Sequence, residues 1–173
     1  EAKILSPHEV KVNGNTLSSK NIIIATGAHP SVPPILGLDQ IDFLTTDNLW
    51  NIRELPKRLL VAGGGPIGLE LAQCFARLGS QVTQVELMPD ILIREDDEFS
   101  RALRQRFVSE GIDVRVDTKC REIVVENGKP FMLCEKKGQE QRIEFDKVLI
   151  ALGRNANSKG FGVENIGLHL GNQ

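Results

Sequence analysis

The sequence predicts an α/β fold: a parallel sheet with helices on one side and a β-meander on the other. Three observations predict it. Residues 58–62 (RLLVA) form a short apolar run that stops at Gly63-Gly64-Gly65. A helical apolar pattern follows at once and gives way to a second apolar run over residues 81–85. Strands alternating with helices are the mark of βαβ units and a parallel sheet. Beyond residue 112 the pattern changes to short strand-like stretches. Asn127-Gly128 and Lys137-Gly138 separate them, and these dipeptides suit tight turns between antiparallel strands.

Residues 3–17 read as a hairpin, with Ile4-Leu5 and Val10-Lys11-Val12 as strands and Asn13-Gly14-Asn15 as turn. The continuous apolar run 21–25 (NIIIA) predicts a buried strand ending at Thr26-Gly27. Pro30, Pro33 and Pro34 hold residues 28–37 extended and unpaired, as in a domain crossover. Thr46 or Asp47 suits the N-cap of a short helix, with Trp50 as a packing residue. Residues 66–78 predict a helix with Pro66 in its first turn, Leu71, Phe75 and Leu78 on one face, and Gly79 at its end. Asp96 or Asp97 opens a second helix, striped by Phe99, Leu103 and Phe107 and closed by Gly111. The meander is expected to take in residues 113–116, 122–126, 131–135 and 141–144. A last apolar run, 147–152, ends at Gly153-Arg154-Asn155.

Composition bounds the function. The 173 residues are 40% hydrophobic and 25% charged, enough for one compact domain with a core plus flanking pieces. The net charge of −2, without a basic block, gives no support to nucleic-acid binding. No apolar run is long enough to span a membrane. Cys74, Cys120 and Cys134 lie far apart in sequence, which points to neither a zinc site nor a redox dithiol. They read as three reduced cysteines of an intracellular, cytoplasmic protein. The chain opens on Glu1 in a strand-like pattern, and a piece of something longer is expected.

Gly63-Gly64-Gly65-Pro66-Ile67-Gly68 matches GxGxxG. The pattern alone is weak, but here it follows a strand, opens a helix and precedes a second strand that ends in an acid, Glu86. That acid stands about twenty residues on, as a Rossmann dinucleotide fingerprint requires. Gly63 suits the tight turn, Gly65 lets backbone approach a pyrophosphate, and Gly68 lets helix and sheet pack closely. The helix N-terminus supplies free N–H groups and the positive end of its dipole. Glu86 suits the adenosine ribose hydroxyls of NAD(H). A 2′-phosphate about 4 Å away would be repelled by roughly 4 kcal/mol at an effective dielectric near 20. Leu87, Met88, Pro89 and Asp90 offer no cation in compensation.

With these motifs in hand, the chain resembles the class I pyridine nucleotide-disulfide oxidoreductases, near dihydrolipoamide dehydrogenase and mercuric reductase. The resemblance is carried by residues 21–27 (NIIIATG), by 32–38 (VPPILGL), by the fingerprint extended through Gly68-Leu69-Glu70-Leu71-Ala72, and by 147–157 (KVLIALGRNAN). It implies that residues 1–27 close an FAD-binding domain, 28–156 form an NAD-binding domain, and 157–173 return toward the FAD or central domain. It implies that Thr26, Gly27 and Ala28 contact FAD, and that Glu70 reaches the nicotinamide carboxamide. It further implies that Cys120 offers a backbone contact to adenine and that Gly153 meets the nicotinamide end.

The resemblance also implies features that the sequence does not contain: an FAD glycine fingerprint, a CxxxxC redox pair, a Gly-Asp flavin motif and a His-Glu acid–base pair in a dimer-forming domain. These are expected in the rest of the protein's own chain, so residues 1–173 are expected to catalyse nothing alone. His8, His29 and His169 match no catalytic position and read as surface or loop residues. Pro66 stands where some relatives carry a gating tyrosine. Two alternatives stay open: another flavoenzyme on this scaffold (an NADH oxidase, coenzyme A-disulfide reductase or ferredoxin reductase), or a non-catalytic NAD-binding module.

Overall fold

The computed structural model describes residues 1–168, 170 and 171. The surface reading of His169 lies outside them. Twelve strands are described: β1 (Ala2–Ser6), β2 (Glu9–Val12), β3 (Asn15–Ser18), β4 (Ala28–Pro30), β5 (Arg58–Ala62), β6 (Gln81–Val85), β7 (Asp113–Arg115), β8 (Lys119–Glu126), β9 (Lys129–Lys136), β10 (Gln139–Glu144), β11 (Lys147–Ile150) and β12 (Arg154–Ala156). Two α-helices accompany them, α1 (Pro66–Leu78) and α2 (Asp97–Ser109). The chain divides into two compact units. One comprises Glu1–His29 and the chain from Arg154 onward, the other Pro30–Gly153.

In the first unit β1, β2 and β3 form an antiparallel sheet, and β12 pairs with β4. Asn13 and Gly14 both take positive φ, 49° and 90°, the mirror-image turn that Asn-Gly favours. The expected single hairpin is thus two, the first joining β1 to β2 through Pro7-His8. Ile4 and Val163 are buried, and the Ile4 N–H donates to the Phe161 carbonyl at 2.7 Å. The buried strand expected at residues 21–25 does not form, and Ile23 is 90% exposed. An apolar run becomes a strand only when a neighbour pairs with it, and no described strand does so here.

The second unit is built on a parallel sheet in the order β11-β5-β6-β7. Side chains alternate across it. Leu59, Val61, Val82 and Leu149 pack with Leu69, Ala72 and Phe75 of α1 and Phe107 of α2. Leu60, Ala62, Val148 and Ile150 pack instead with Ile123, Met132, Cys134 and Ile143 of the meander. Each fully buried aliphatic side chain contributes about 1.5–3 kcal/mol. The sheet is therefore held from both faces, helices on one side and the β8-β9-β10 meander on the other.

Several expectations need correction. Residues 113–115 pair with β6 in the parallel sheet as β7 and are not part of the meander, because α2 returns the chain beside β6. Helix α1 buries Gly68, Leu69, Ala72 and Phe75, while Leu78 is 68% exposed. Close approach at Gly68 sets the rotation of the helix, which a count of large apolar residues overlooks. In α2 Asp96 stands at the N-cap and Phe107 is buried, but Phe99 is 66% exposed. Ser100 takes the inner position, its Oγ donating to the Leu92 carbonyl at 3.3 Å. Around Trp50 only a 3-10 turn forms, Leu49–Asn51, with Asn48 at its N-cap in place of Thr46 or Asp47. The Asn48 Oδ1 accepts the Thr45 N–H at 2.7 Å. Trp50 lies 70% exposed and donates its indole N–H to the Thr46 carbonyl at 2.8 Å, while Leu49 fills the core.

Candidate functional site

In the second unit the carboxyl ends of β5, β6 and β11 lie side by side, with Ala62 in register with Val85 and with Ile150. The strand order reverses between β11 and β5. In open parallel sheets the crevice at such a reversal is the ligand site. Gly63 leaves β5 there at φ 113°, and a Cβ on it would stand 2.3 Å from the Ala151 carbonyl oxygen. A Cβ on Gly68 would stand 2.3 Å from the Gly63 carbonyl oxygen and 3.3 Å from the Ala151 Cβ. Both positions therefore require glycine. Gln84, wholly buried, donates its side-chain amide to the Gly63 carbonyl and braces the turn from beneath.

Gly65 differs. A Cβ there would meet nothing within 4 Å, so its open side faces free space. It is the N-cap of α1, which no side chain caps, and Pro66 follows in the first turn. The amides of Gly65, Ile67 and Gly68 have no protein acceptor among the described residues. Unpaired donors at the positive end of a helix form an anion cradle. A dinucleotide diphosphate fits it: the donors are free, and the cradle is what a side chain at residue 65 would fill.

Glu86 directly follows β6. Its Oε2 accepts the Gly64 N–H at 2.5 Å, and its Oε1 accepts the Met88 N–H at 2.7 Å. A Cβ on Gly64 would lie 2.9 Å from Oε2 and 3.0 Å from the Glu86 Cβ. The middle glycine thus has its own reason, which the GxGxxG pattern treats as a free position. The backbone bonds Thr118 N–H to Glu86 O and Asp117 N–H to Met88 O, both 2.9 Å, fasten the β7–β8 connection beside the carboxylate. Cys120 follows on β8, half-buried, its Sγ 3.8 Å from the Sγ of Cys134. The sequence spacing of the cysteines gave no sign of that pair.

Glu70 is exposed on α1, beyond the first turn, and its carboxylate has no hydrogen bond or ion pair among the described residues. Beyond the first turn it gains little from the helix dipole. Gly153 is exposed at φ 114°, just past β11, and its carbonyl accepts the Ser31 N–H at 2.9 Å.

In the first unit Asn157 gathers the Thr26-Gly27-Ala28 stretch. The Thr26 Oγ1 donates to the Asn157 carbonyl at 2.6 Å, and the Asn157 Nδ2 donates to the Thr26 carbonyl at 2.9 Å. The Asn157 N–H donates to the Gly27 carbonyl at 2.9 Å, and the Arg154 guanidinium to the Ala28 carbonyl. His29 Nδ1 lies 2.7 Å from the Asn157 Oδ1. The Gly-Arg-x-x-Asn loop and the ATG segment, far apart in sequence, are thus one hydrogen-bonded assembly.

The family described as pyridine nucleotide-disulphide oxidoreductase matches residues 1–173. The chain belongs to this family. It is 36% identical over 172 residues to a mercuric reductase of Staphylococcus aureus, covering 99% of this chain and 31% of that protein. It is 38% identical over 178 residues to a dihydrolipoyl dehydrogenase of Thermus scotoductus, covering 98% of this chain and 37% of that protein. Among solved structures it is similar to the HOCl-induced flavoprotein disulfide reductase RclA from Escherichia coli, with a TM-score of 0.83 and 29% identity, over 99% of this chain and 39% of that one. The chain spans about a third of the length of these curated relatives.

Proposed function

We propose that residues 28–156 are the NAD(H)-binding domain of an FAD-dependent pyridine nucleotide-disulfide oxidoreductase, with residues 1–27 and 157–173 belonging to its flavin-binding side. The observation that carries this reading is the uncapped N-terminus of α1 beside the Glu86 carboxylate, which aligns free amides and one acid for the two halves of a dinucleotide.

When bound, NAD(H) and FAD supply the hydride transfer between nicotinamide and flavin. This chain's residues position the partners. The amides of Gly65, Ile67 and Gly68 hold the diphosphate. Glu86 accepts the adenosine ribose hydroxyls, and its negative charge disfavours a 2′-phosphate by electrostatic repulsion. Glu70, which has no partner among the described residues, takes the nicotinamide carboxamide. Gly153 and the backbone at Cys120 complete the two ends of the site. Thr26, Gly27 and Ala28, gathered by Asn157, face FAD. In the whole protein electrons pass on between flavin and a redox-active disulfide, and the protein works as a homodimer.

The test is amide-resolved NMR of the chain titrated with NADH. Gly65, Ile67 and Gly68 should show the largest amide shifts. If these three stay still while remote amides move, the proposed cradle is wrong.

A further inference from the structure

Cys120 on β8 and Cys134 on β9 are direct cross-strand partners, and their sulfurs are 3.8 Å apart. Their environments differ. Cys134 is fully buried among Leu60, Ile123 and Met132, while Cys120 is half-buried at the edge of that cluster. Cys74 is exposed on α1. Directly opposed residues in an antiparallel pair have Cβ atoms about 4.5–5.5 Å apart, whereas a disulfide needs about 3.5–4.5 Å. The backbone must therefore close by a small amount. A register shift between Cys120 and Glu122, with Arg121 as the extra residue, gives β8 that slack next to the pair.

We propose that Cys120 and Cys134 form a reversible intramolecular disulfide when the protein meets a peroxide. The oxidant reaches Cys120, the sulfur at the edge. As the Cys120 proton passes to the Cys134 sulfur, the Cys120 sulfur attacks one peroxide oxygen: an S–O bond forms, the O–O bond breaks, and the departing oxygen takes up that proton and leaves as water or alcohol. The Cys134 sulfur then attacks the Cys120 sulfur: the S–S bond forms, the S–O bond breaks, and hydroxide leaves with a proton as water. Two thiols are oxidised by two electrons and one peroxide is reduced. A thiol reductant reverses the change.

The two sulfurs are in hydrogen-bonding contact at 3.8 Å. That contact, together with the charge of Arg115, holds the Cys134 thiol below its ordinary value, so Cys134 is the sulfur that takes up the Cys120 proton as Cys120 reacts. The bond with Cys134, burial and the nearby Glu86 charge push the Cys120 thiol up, so the pair does not lose both protons before oxidation.

Peptide mapping of the full protein tests this without NADH, so its outcome is independent of the functional reading. After peroxide and blocking of free thiols, cleavage at Lys119, Arg121 and Lys136 places the two cysteines in separate peptides. The expected product is a Cys120–Cys134 linked pair, lighter by about 2 Da than its two thiol peptides and lost on treatment with dithiothreitol. In Cys134→Ser, Cys120 should accumulate as sulfenic and sulfinic acid. In Cys120→Ser, Cys134 should stay reduced. The proposal is overturned if both cysteines are recovered as thiols while Cys74 is oxidised. It is overturned equally if wild-type Cys120 passes to sulfinic acid with Cys134 still free.

Discussion

The Glu86 carboxylate accepts the Gly64 amide at 2.5 Å, tying the acid at the end of β6 to the middle of the glycine turn that leaves β5. A second bond, from the Met88 N–H at 2.7 Å, fixes its other oxygen. The acid is therefore already oriented before any ligand arrives. Replacement by arginine removes both acceptors and reverses the charge. Glu86→Arg should weaken NADH binding at least about tenfold, near 1.4 kcal/mol, and narrow the gap between NADH and NADPH. Unchanged NADH affinity and preference in a binding titration would show that Glu86 has no part in the site.

Gly65 and Gly68 should separate binding from stability. Gly65→Ala puts its Cβ into open space at an allowed φ of −81°, so the melting temperature should move by no more than about 2 °C. That Cβ points where the diphosphate is proposed to lie, so NADH affinity should fall about tenfold or more. Gly68→Ala drives a Cβ to 2.3 Å from the Gly63 carbonyl oxygen and should cost about 1–3 kcal/mol of stability by overpacking. Thermal unfolding alongside an NADH titration of both variants checks the contrast. Equal behaviour of the two would contradict it.

Gln84 is predicted to be a structural brace. It is wholly buried, and its amide reaches the Gly63 carbonyl while its own carbonyl oxygen has no partner among the described residues. Gln84→Met keeps the volume but strands the Gly63 oxygen. A loss of about 1–3 kcal/mol in denaturant unfolding is expected. No loss would mean that the Gly63 turn is held by its glycine geometry alone.

Acid should loosen the join between α1 and the end of α2. The guanidinium of Arg77, bonded at 2.7 and 2.9 Å, holds the Glu110 carboxyl at about 2 against an ordinary 4.5, with further bonds from Arg106 and Gln73. A depressed acid stabilises the fold above its unfolded value, and that stabilisation is lost as pH falls through the folded value. In Glu110→Gln the melting temperature should lie below that of wild type at pH 7. The difference should shrink as pH drops from about 4.5 toward 2. Calorimetric scans at several pH values give the answer, and a difference that stays constant with pH would refute the assignment. The depressed Glu144 and Asp146, both bonded to Arg58, add to the acid slope of both proteins and cancel in the comparison.

The glycine turn, α1 with its closing Gly79, and the acid at Glu86 were legible in the sequence because each is written in local chemistry. Helix faces were less so. Leu78 and Phe99 fit an apolar stripe on paper, yet both face solvent, since rotation is set by how closely Gly68 and Ser100 approach their neighbours. The run at residues 21–25 reads as a buried strand because its composition is apolar, but burial belongs to the neighbours and not to the run.

The cysteine pair shows a different limit. Counting outward from the Asn127-Gly128 turn, Cys120 would oppose Glu135 and point away from Cys134. One extra residue at Arg121 shifts the register and brings the two sulfurs together. Nothing in the cysteine spacing signals a bulge. Likewise the joining of Thr26 and Gly27 to Asn157 depends on chain ends that meet only in the folded unit.

The α1 N-terminus and Glu86 are proposed to form one NAD(H) site together. Calorimetric titration of the chain with NADH and with NADPH puts that to the test. Saturable NADH binding, with NADPH at least about tenfold weaker, is the predicted result. No heat of binding with NADH, or NADPH binding as tightly as NADH, would contradict it.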